Sequence, residues 1–133
     1  VLGDIPGADS TCRDLANRAG CVVVSVDYRL APETKFPGAA DDCWAATRWV
    51  ADNAAALGVD PKRIAVGGDS AGGNLAAVTA LRSRRESLPL AFQLLVYPVT
   101  DARFDTPSYR DNADGYLLTR DSMIWFWNHY LRN

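Results

Sequence analysis

Three short apolar runs along the chain predict the strands of a sheet. Residues 21–26 are Cys-Val-Val-Val-Ser-Val, an almost unbroken series dominated by β-branched side chains. A run of this kind is typical of a strand that is buried on both faces of a parallel sheet. Residues 63–66 predict a second strand, and residues 92–97, which Pro98 terminates, predict a third.

Four helical patterns separate and flank these runs, at about residues 11–18, 39–57, 70–84 and 120–131. Ser10 or Thr11 is suited to cap the first helix, Gly20 to end it, and Thr119 to cap the last one. Residues 100–118 are polar and predict irregular surface or cap structure. Strands that alternate with helices indicate an α/β fold with a central, mostly parallel sheet flanked by helices.

The octapeptide at residues 67–74, Gly-Gly-Asp-Ser-Ala-Gly-Gly-Asn, joins the second predicted strand to the helix after it. Within it, Gly68-x-Ser70-x-Gly72 matches the nucleophile elbow, in which a serine lies on a sharp strand-to-helix turn. We expect glycine at both flanking positions because Cβ atoms there would collide across so tight a turn. Ser70 is therefore the candidate nucleophile, and the Ala71 backbone N–H is the candidate oxyanion-hole donor.

Two other kinds of glycine-rich loop resemble this octapeptide in part. A phosphate-binding P-loop does not fit, because no Lys-Ser or Lys-Thr pair follows the glycines. Trypsin-like proteases carry a Gly-Asp-Ser-Gly-Gly loop, but those enzymes are all-β and their catalytic histidine precedes the serine. No histidine precedes Ser70, and its surroundings indicate an α/β fold. A serine nucleophile is the favoured interpretation.

Composition narrows the classes of protein further. With 133 residues and 48% hydrophobic side chains, the chain is long enough to form one domain with a core. The net charge of −2 offers no basic field for nucleic acid, and no apolar run approaches the length of a membrane span. Cys12, Cys21, Cys43 and the single His129 form no zinc-site pattern. This set predicts no metal site, and the three cysteines predict free thiols in a cytoplasmic protein.

Four segments together resemble the hormone-sensitive-lipase-like branch of the α/β-hydrolase fold. They are Asp-Tyr-Arg-Leu-Ala-Pro-Glu at residues 27–33, Phe-Pro-Gly-Ala-Ala-Asp-Asp at 36–42, Gly-Asp-Ser-Ala-Gly-Gly-Asn at 68–74 and Tyr-Pro-Val-Thr-Asp at 97–101. The resemblance covers essentially the whole chain. It implies a carboxylesterase or lipase that acts on a small-molecule ester through a Ser–Asp–His triad and uses no cofactor.

The resemblance also implies which parts of the family pattern lie elsewhere. A His-Gly-Gly-Gly oxyanion motif is expected before Val1, and the catalytic Asp and His are expected after Asn133. Residues 1–133 are therefore expected to be an internal fragment of a single α/β-hydrolase catalytic domain, in which residues 100–133 include cap structure or a peripheral helix.

Asp101 and His129 follow Ser70 in the Ser–Asp–His order of these hydrolases. We nevertheless expect a structural role for both. His129 lies late on an amphipathic helix with no strand before it to deliver it to the serine, and Asp101 is suited to cap the turn after Pro98.

A non-catalytic function on the same scaffold is the alternative. The plant gibberellin receptors resemble this family but have lost the catalytic histidine, and Ser70 is able to persist in such a protein. The residue at the downstream histidine position distinguishes a ligand-binding receptor from an enzyme. Esterase function is the favoured hypothesis of the two.

Overall fold

The computed structural model describes residues 1–132 of the chain. In chain order its elements are α1 (Ile5–Ala19), α2 (Gly38–Asp52), α3 (Ala54–Leu57), a 3₁₀ turn (Pro61–Arg63), β1 (Ala65–Asp69), α4 (Ala71–Arg85), β2 (Phe92–Val96), α5 (Pro107–Asp111) and α6 (Arg120–Tyr130). Helix α4 connects the two strands, so the predicted α/β class is confirmed.

The two strands form a parallel sheet in which Ala65 pairs with Phe92 and Asp69 pairs with Val96. Parallel neighbours need a crossover connection, and α4 provides it while packing against both strands. Helix α2 packs in turn against α4. The carboxyl ends of β1 and β2 therefore lie side by side at one edge of the sheet, where the turn into α4 begins.

The strand predicted at residues 21–26 is wrong. These residues lie in irregular backbone, and no backbone–backbone hydrogen bond joins residues 22–29 to any other part of residues 1–132. A strand is held by its ladder of hydrogen bonds, so β-branched composition alone does not create one. Val22 and Val24 are 58% and 45% exposed, which means that this run is apolar without being buried.

Helix α1 begins at Ile5, earlier than the start that was expected near residue 10 or 11. Asp4 is its cap, because the Asp4 Oδ1 accepts the Gly7 N–H at 2.8 Å. Gly20 ends the helix with a φ of 60°, as predicted. The sequence pattern missed the start because Pro6 and Gly7 are typical of a turn, although proline is also common in the first turn of a helix.

The helix predicted at residues 39–57 is divided at Asn53. The Asn53 side-chain amide and the Asn53 backbone N–H both donate to the Trp49 carbonyl, at 2.8 and 2.9 Å, so Asn53 caps the end of the helix. Helix α2 therefore ends at Asp52. The single turn of α3 follows and ends at Gly58, whose φ is 68°.

The helices predicted at residues 70–84 and 120–131 are confirmed as α4 and α6. Thr119 caps α6 as expected, because its Oγ1 accepts the Ser122 N–H at 3.1 Å. Residues 100–118 are irregular apart from the short helix α5.

The core is small and comes mainly from α2 and α4. It consists of Ala39, Ala40 and Leu75, with Tyr28, Cys43 and Val78 packed around them. The sheet contributes little to it, since Phe92 and Leu94 of β2 are 63% and 41% exposed. The accessible surface is 9188 Å², whereas a compact monomer of the same mass, 14.4 kDa, exposes about 6,800 Å². Much apolar surface is therefore uncovered in the described fold.

An ion pair ties the loop after residue 26 to α2. Asp42 accepts hydrogen bonds from the Arg29 Nη2 at 2.7 Å, from its Nε at 2.9 Å and from its backbone N–H at 2.9 Å. The side-chain hydrogen bond from Arg29 is the main cause that lowers the pKa of the Asp42 carboxyl. The charged form of Asp42 therefore stabilises this loop.

Asp42→Asn tests the ion pair through the acid dependence of stability. A carboxylate with a lowered folded pKa stabilises the fold above its unfolded pKa of about 3.9, and that stabilisation is lost as the pH falls through the folded value. We expect the variant to be less stable at neutral pH and to lose less stability on acidification, as measured by urea unfolding of the intact protein at stepped pH. Asp52→Asn on the same helix is the control, because Asp52 forms no ion pair within residues 1–132. Identical profiles for Asp42→Asn and the unmodified protein would contradict the account.

Candidate active site

Ser70 lies between the last residue of β1 and the first residue of α4, where the chain turns from strand to helix. Its φ of 51° and ψ of −116° fall in a region that residues other than glycine rarely adopt. Strained backbone of this kind persists only where the surrounding structure fixes it, and such residues cluster at active sites. Ser70 thus has the geometry that the sequence predicted for a nucleophile elbow.

The segment after β2 fixes this turn through hydrogen bonds. The Ser70 N–H donates to the Val96 carbonyl at 3.0 Å, and the Val99 N–H donates to the Ser70 carbonyl at 3.2 Å. The Asn74 side-chain amide donates to the Val99 carbonyl at 2.6 Å. Sequence reasoning missed the role of Asn74, although its place four residues after Ser70 puts both on one face of the helix.

Glycine is required on steric grounds at position 68 but not at position 72. A Cβ on Gly68 would overlap the backbone of Gly72, whereas a Cβ on Gly72 would meet nothing within 4 Å. The expectation that both positions exclude a side chain is therefore right for Gly68 and wrong for Gly72. Gly73 is a second tight position, since its Cβ would lie 3.0 Å from the Pro98 Cα.

Ala71 is the first residue of α4, a helix of 15 residues. The N–H groups of a first helical turn have no acceptor within the helix, and they carry the positive end of its dipole, on the order of half a charge. No backbone carbonyl within residues 1–132 accepts the Ala71 N–H. The chain therefore presents a polarised donor directly after Ser70.

His129 and Asp101 are each held by local partners other than Ser70. The His129 Nδ1 lies 2.8 Å from the Trp125 carbonyl oxygen on the same helix, and the two ring centroids lie 4.0 Å apart at an interplanar angle of 36°. Asp101 accepts the Arg103 N–H at 3.0 Å and pairs with the Arg103 guanidinium at 2.6 Å. The side-chain hydrogen bond from Arg103 is the main cause that lowers the pKa of Asp101. In the part of the chain that the structure describes, no histidine or carboxylate is hydrogen-bonded to Ser70.

Cys43 is not a competing nucleophile. Burial, reinforced by the nearby Asp42 carboxylate, raises the pKa of its thiol to about 11, so the thiol stays protonated at neutral pH. Burial also raises the pKa of Tyr28 and of Tyr130, and Cys43 adds to both shifts. These three side chains are therefore neutral packing groups.

The described residues offer no set of ligands for a metal ion. Residues 1–132 contain no group of three or more His, Cys, Asp or Glu side chains that could hold a metal ion. The three cysteines are free thiols. None of the helices that the structure describes is long and apolar enough to cross a membrane.

Gly68→Ala and Gly72→Ala form a matched pair that tests the steric account of the turn. The first adds a methyl group that overlaps the Gly72 backbone, and it should lower the free energy of unfolding by about 2–3 kcal/mol. The second adds the same group to open space within a helix, and it should leave that free energy unchanged or raise it by up to about 1 kcal/mol. Urea unfolding of the intact protein measures both effects. Equal losses in the two variants would contradict the account.

Comparison with known proteins agrees with this geometry. The family described as alpha/beta hydrolase fold matches residues 1–133. Carboxylesterase NlhH of Mycobacterium tuberculosis is 52% identical over 131 residues, which cover 98% of this chain and 41% of that protein. Ethyl acetate hydrolase of Pseudomonas putida is 44% identical over 132 residues, which cover 98% of this chain and 42% of that protein.

Solved structures give the same result. The hyperthermophilic esterase from the archaeon Pyrobaculum calidifontis superposes with a TM-score of 0.94 at 49% identity, over all of this chain and 44% of that one. The chain spans about two-fifths of the length of the curated relatives it matches. The resemblance that the four sequence segments carried is thus confirmed, and the chain belongs to the α/β-hydrolase fold family.

Proposed function

We propose that this protein hydrolyses carboxylic esters of small molecules, with Ser70 as the nucleophile and the Ala71 N–H as a donor of the oxyanion hole. The observation that carries the proposal is the strained turn at Ser70, with a φ of 51°, at the amino-terminal end of α4. Relatives named carboxylesterase and esterase, at 52% and 50% identity, support it. The receptor alternative is not favoured, because the relatives compared above are named for ester hydrolysis.

In this proposal the reaction proceeds through an acyl-enzyme. The Ser70 Oγ attacks the ester carbonyl carbon while its proton passes to a histidine base, and the alcohol then leaves. Water hydrolyses the acyl-enzyme, releases the acid and restores the serine. Negative charge on the carbonyl oxygen develops beside the Ala71 N–H, and one such donor typically contributes about 2.7–4 kcal/mol to transition-state stabilisation.

We place the histidine base and its carboxylate partner outside residues 1–133, because His129 and Asp101 are held by Trp125 and Arg103 instead. We also infer that residues 1–133 are an internal part of a single catalytic domain. The accessible surface, about 2,300 Å² above that of a compact monomer of this mass, and the exposed side chains of β2 support this inference. The free cysteines favour a cytoplasmic location.

Ser70→Ala in the intact protein is the direct test of the nucleophile. We expect kcat/KM for a p-nitrophenyl ester of a short acid to fall on the order of 10⁴-fold or more, since the remaining groups provide only residual catalysis. Ser87→Ala is the matched control, because Ser87 also has a positive φ, 56°, but lies just beyond the opposite end of α4. An active Ser70→Ala variant would refute the assignment.

Expression of residues 1–133 alone tests the inferred domain boundaries. Because the sheet has open edges and exposed apolar side chains, we expect this product to be poorly soluble or molten and to hydrolyse no ester measurably. Dye binding, near-ultraviolet circular dichroism and an ester assay report on these properties. A soluble, cooperatively folded product with Ser70-dependent turnover would overturn the inference and restore His129 as a candidate base.

A further inference from the structure

A groove between α2 and α4 lies apart from the candidate active site. Its volume is about 590 Å³, and its lining comes from residues 41–52 of α2 and from Arg82 and Glu86 of α4. Neither Ser70 nor any residue of the turn around it contributes to this lining. The groove is therefore a second concave surface, which the proposed ester hydrolysis does not use.

Three of the five charged side chains in this groove are paired with one another. The Arg82 guanidinium pairs with Asp41 of α2 at 2.7 Å and with Glu86, one turn further along α4, at 3.0 Å. It also lies 5.3 Å from the centroid of the buried Trp44 ring, in a cation–π arrangement. These contacts hold the two walls of the groove together.

The other two charged side chains, Arg48 and Asp52, form no ion pair within residues 1–132. They lie four residues apart on α2 with the arginine first, which is the less favourable order for a pair within one helix. Trp49 lies between them, is 54% exposed and makes no ring-to-ring contact in the described residues. Helix α2 thus presents one unpaired charge of each sign beside an exposed indole ring.

These residues belong to an exposed stripe with the helical spacing i, i+3, i+4 and i+7. The stripe consists of Ala45, Arg48, Trp49 and Asp52, and Ala55 continues it in α3. Alanine at both ends lets another helix approach closely, because the distance between two packed helices depends on the side chains at their contact. The stripe therefore has the shape and spacing of a helix-packing surface.

A second copy of the same stripe, running antiparallel, satisfies both charges at once. With a two-fold axis at the level of Val50, Arg48 faces Asp52 of the partner subunit, and Asp52 faces Arg48 of the partner subunit. Each Trp49 then lies one residue, or about 1.5 Å, from the level of the axis, so the two indole rings meet on the same side of the contact. A partner of only one charge sign would leave either Arg48 or Asp52 unpaired.

We propose that this stripe is the interface of a symmetric dimer, in which α2 packs antiparallel against α2 of a second copy. Two-fold contacts are self-complementary, and they are by far the commonest in homo-oligomers. The two ion pairs fix the orientation of the copies, and the paired Trp49 rings provide the buried centre, since tryptophan is enriched among the residues that dominate interface energies.

Charge reversal followed by mixing tests this dimer, with analytical ultracentrifugation of the intact protein over a dilution series. Arg48→Asp leaves only acidic groups at the two positions and Asp52→Arg leaves only basic ones, so each variant alone should be monomeric where the unmodified protein is dimeric. An equimolar mixture of the two variants should form dimers again, because acidic stripes then face basic ones. Arg84→Asp is the matched control and should stay dimeric, since Arg84 is exposed, lies outside the groove and forms no ion pair within residues 1–132.

Trp49→Ala tests the aromatic part of the interface. The dissociation constant should rise by roughly tenfold or more, with an unchanged far-ultraviolet circular dichroism spectrum. Because dimerisation stabilises the fold in proportion to protein concentration, Asp52→Asn should lower stability only above the dissociation constant. A monomer at every concentration overturns the inference. A dimer that both charge reversals leave intact, or a mixture that stays monomeric, overturns it equally.

Discussion

The close approach of the backbone at Gly68 and Gly72 is the constraint on which the rest of the structure depends. Only a residue without a Cβ at position 68 allows the chain to reverse so sharply after β1. That reversal gives Ser70 its φ of 51° and sets the direction in which α4 begins. Because α4 packs against both strands and against α2, the same turn also determines where the small core lies.

The chemistry of the site follows from this constraint. Since α4 starts immediately after Ser70, the positive end of the helix dipole and the N–H of its first residue follow the serine directly. The hydrogen bonds that the Ser70 backbone donates to Val96 and accepts from Val99 bring the segment after β2 against the turn, and Asn74 binds that segment from the helix side. One steric requirement thereby brings together the candidate nucleophile and a candidate donor for the oxyanion.

The sequence allowed prediction of those features that local chemistry decides. The strand-turn-helix unit around Ser70, the Thr119 cap and the left-handed Gly20 each depend on residues close together in the chain. The strand expected at residues 21–26 failed because a ladder requires a partner, and composition does not reveal whether one is present. The break at Asn53 lies where a side-chain amide shares the Trp49 carbonyl with the backbone N–H, in a stretch whose apolar periodicity continues on both sides.

Tertiary contacts decide the features of the site that the sequence did not predict. That Gly72 tolerates a side chain depends on the open space beside the first turn of α4, which no sequence spacing states. The spacing of four residues makes Asn74 a helical neighbour of Ser70, but the acceptor of its side-chain amide lies 25 residues away, on the segment after β2.

The central claim is that the strained turn makes Ser70 the reactive serine of an ester hydrolase. Mass spectrometry after reaction of the intact protein with an alkyl fluorophosphonate tests this most directly. Trypsin releases residues 64–82 as one peptide, in which Ser70 is the single serine. The account predicts a stoichiometric phosphonate adduct on that peptide, together with loss of ester turnover. An unmodified Ser70 peptide in a fully inhibited protein, or an adduct on another serine, would contradict it.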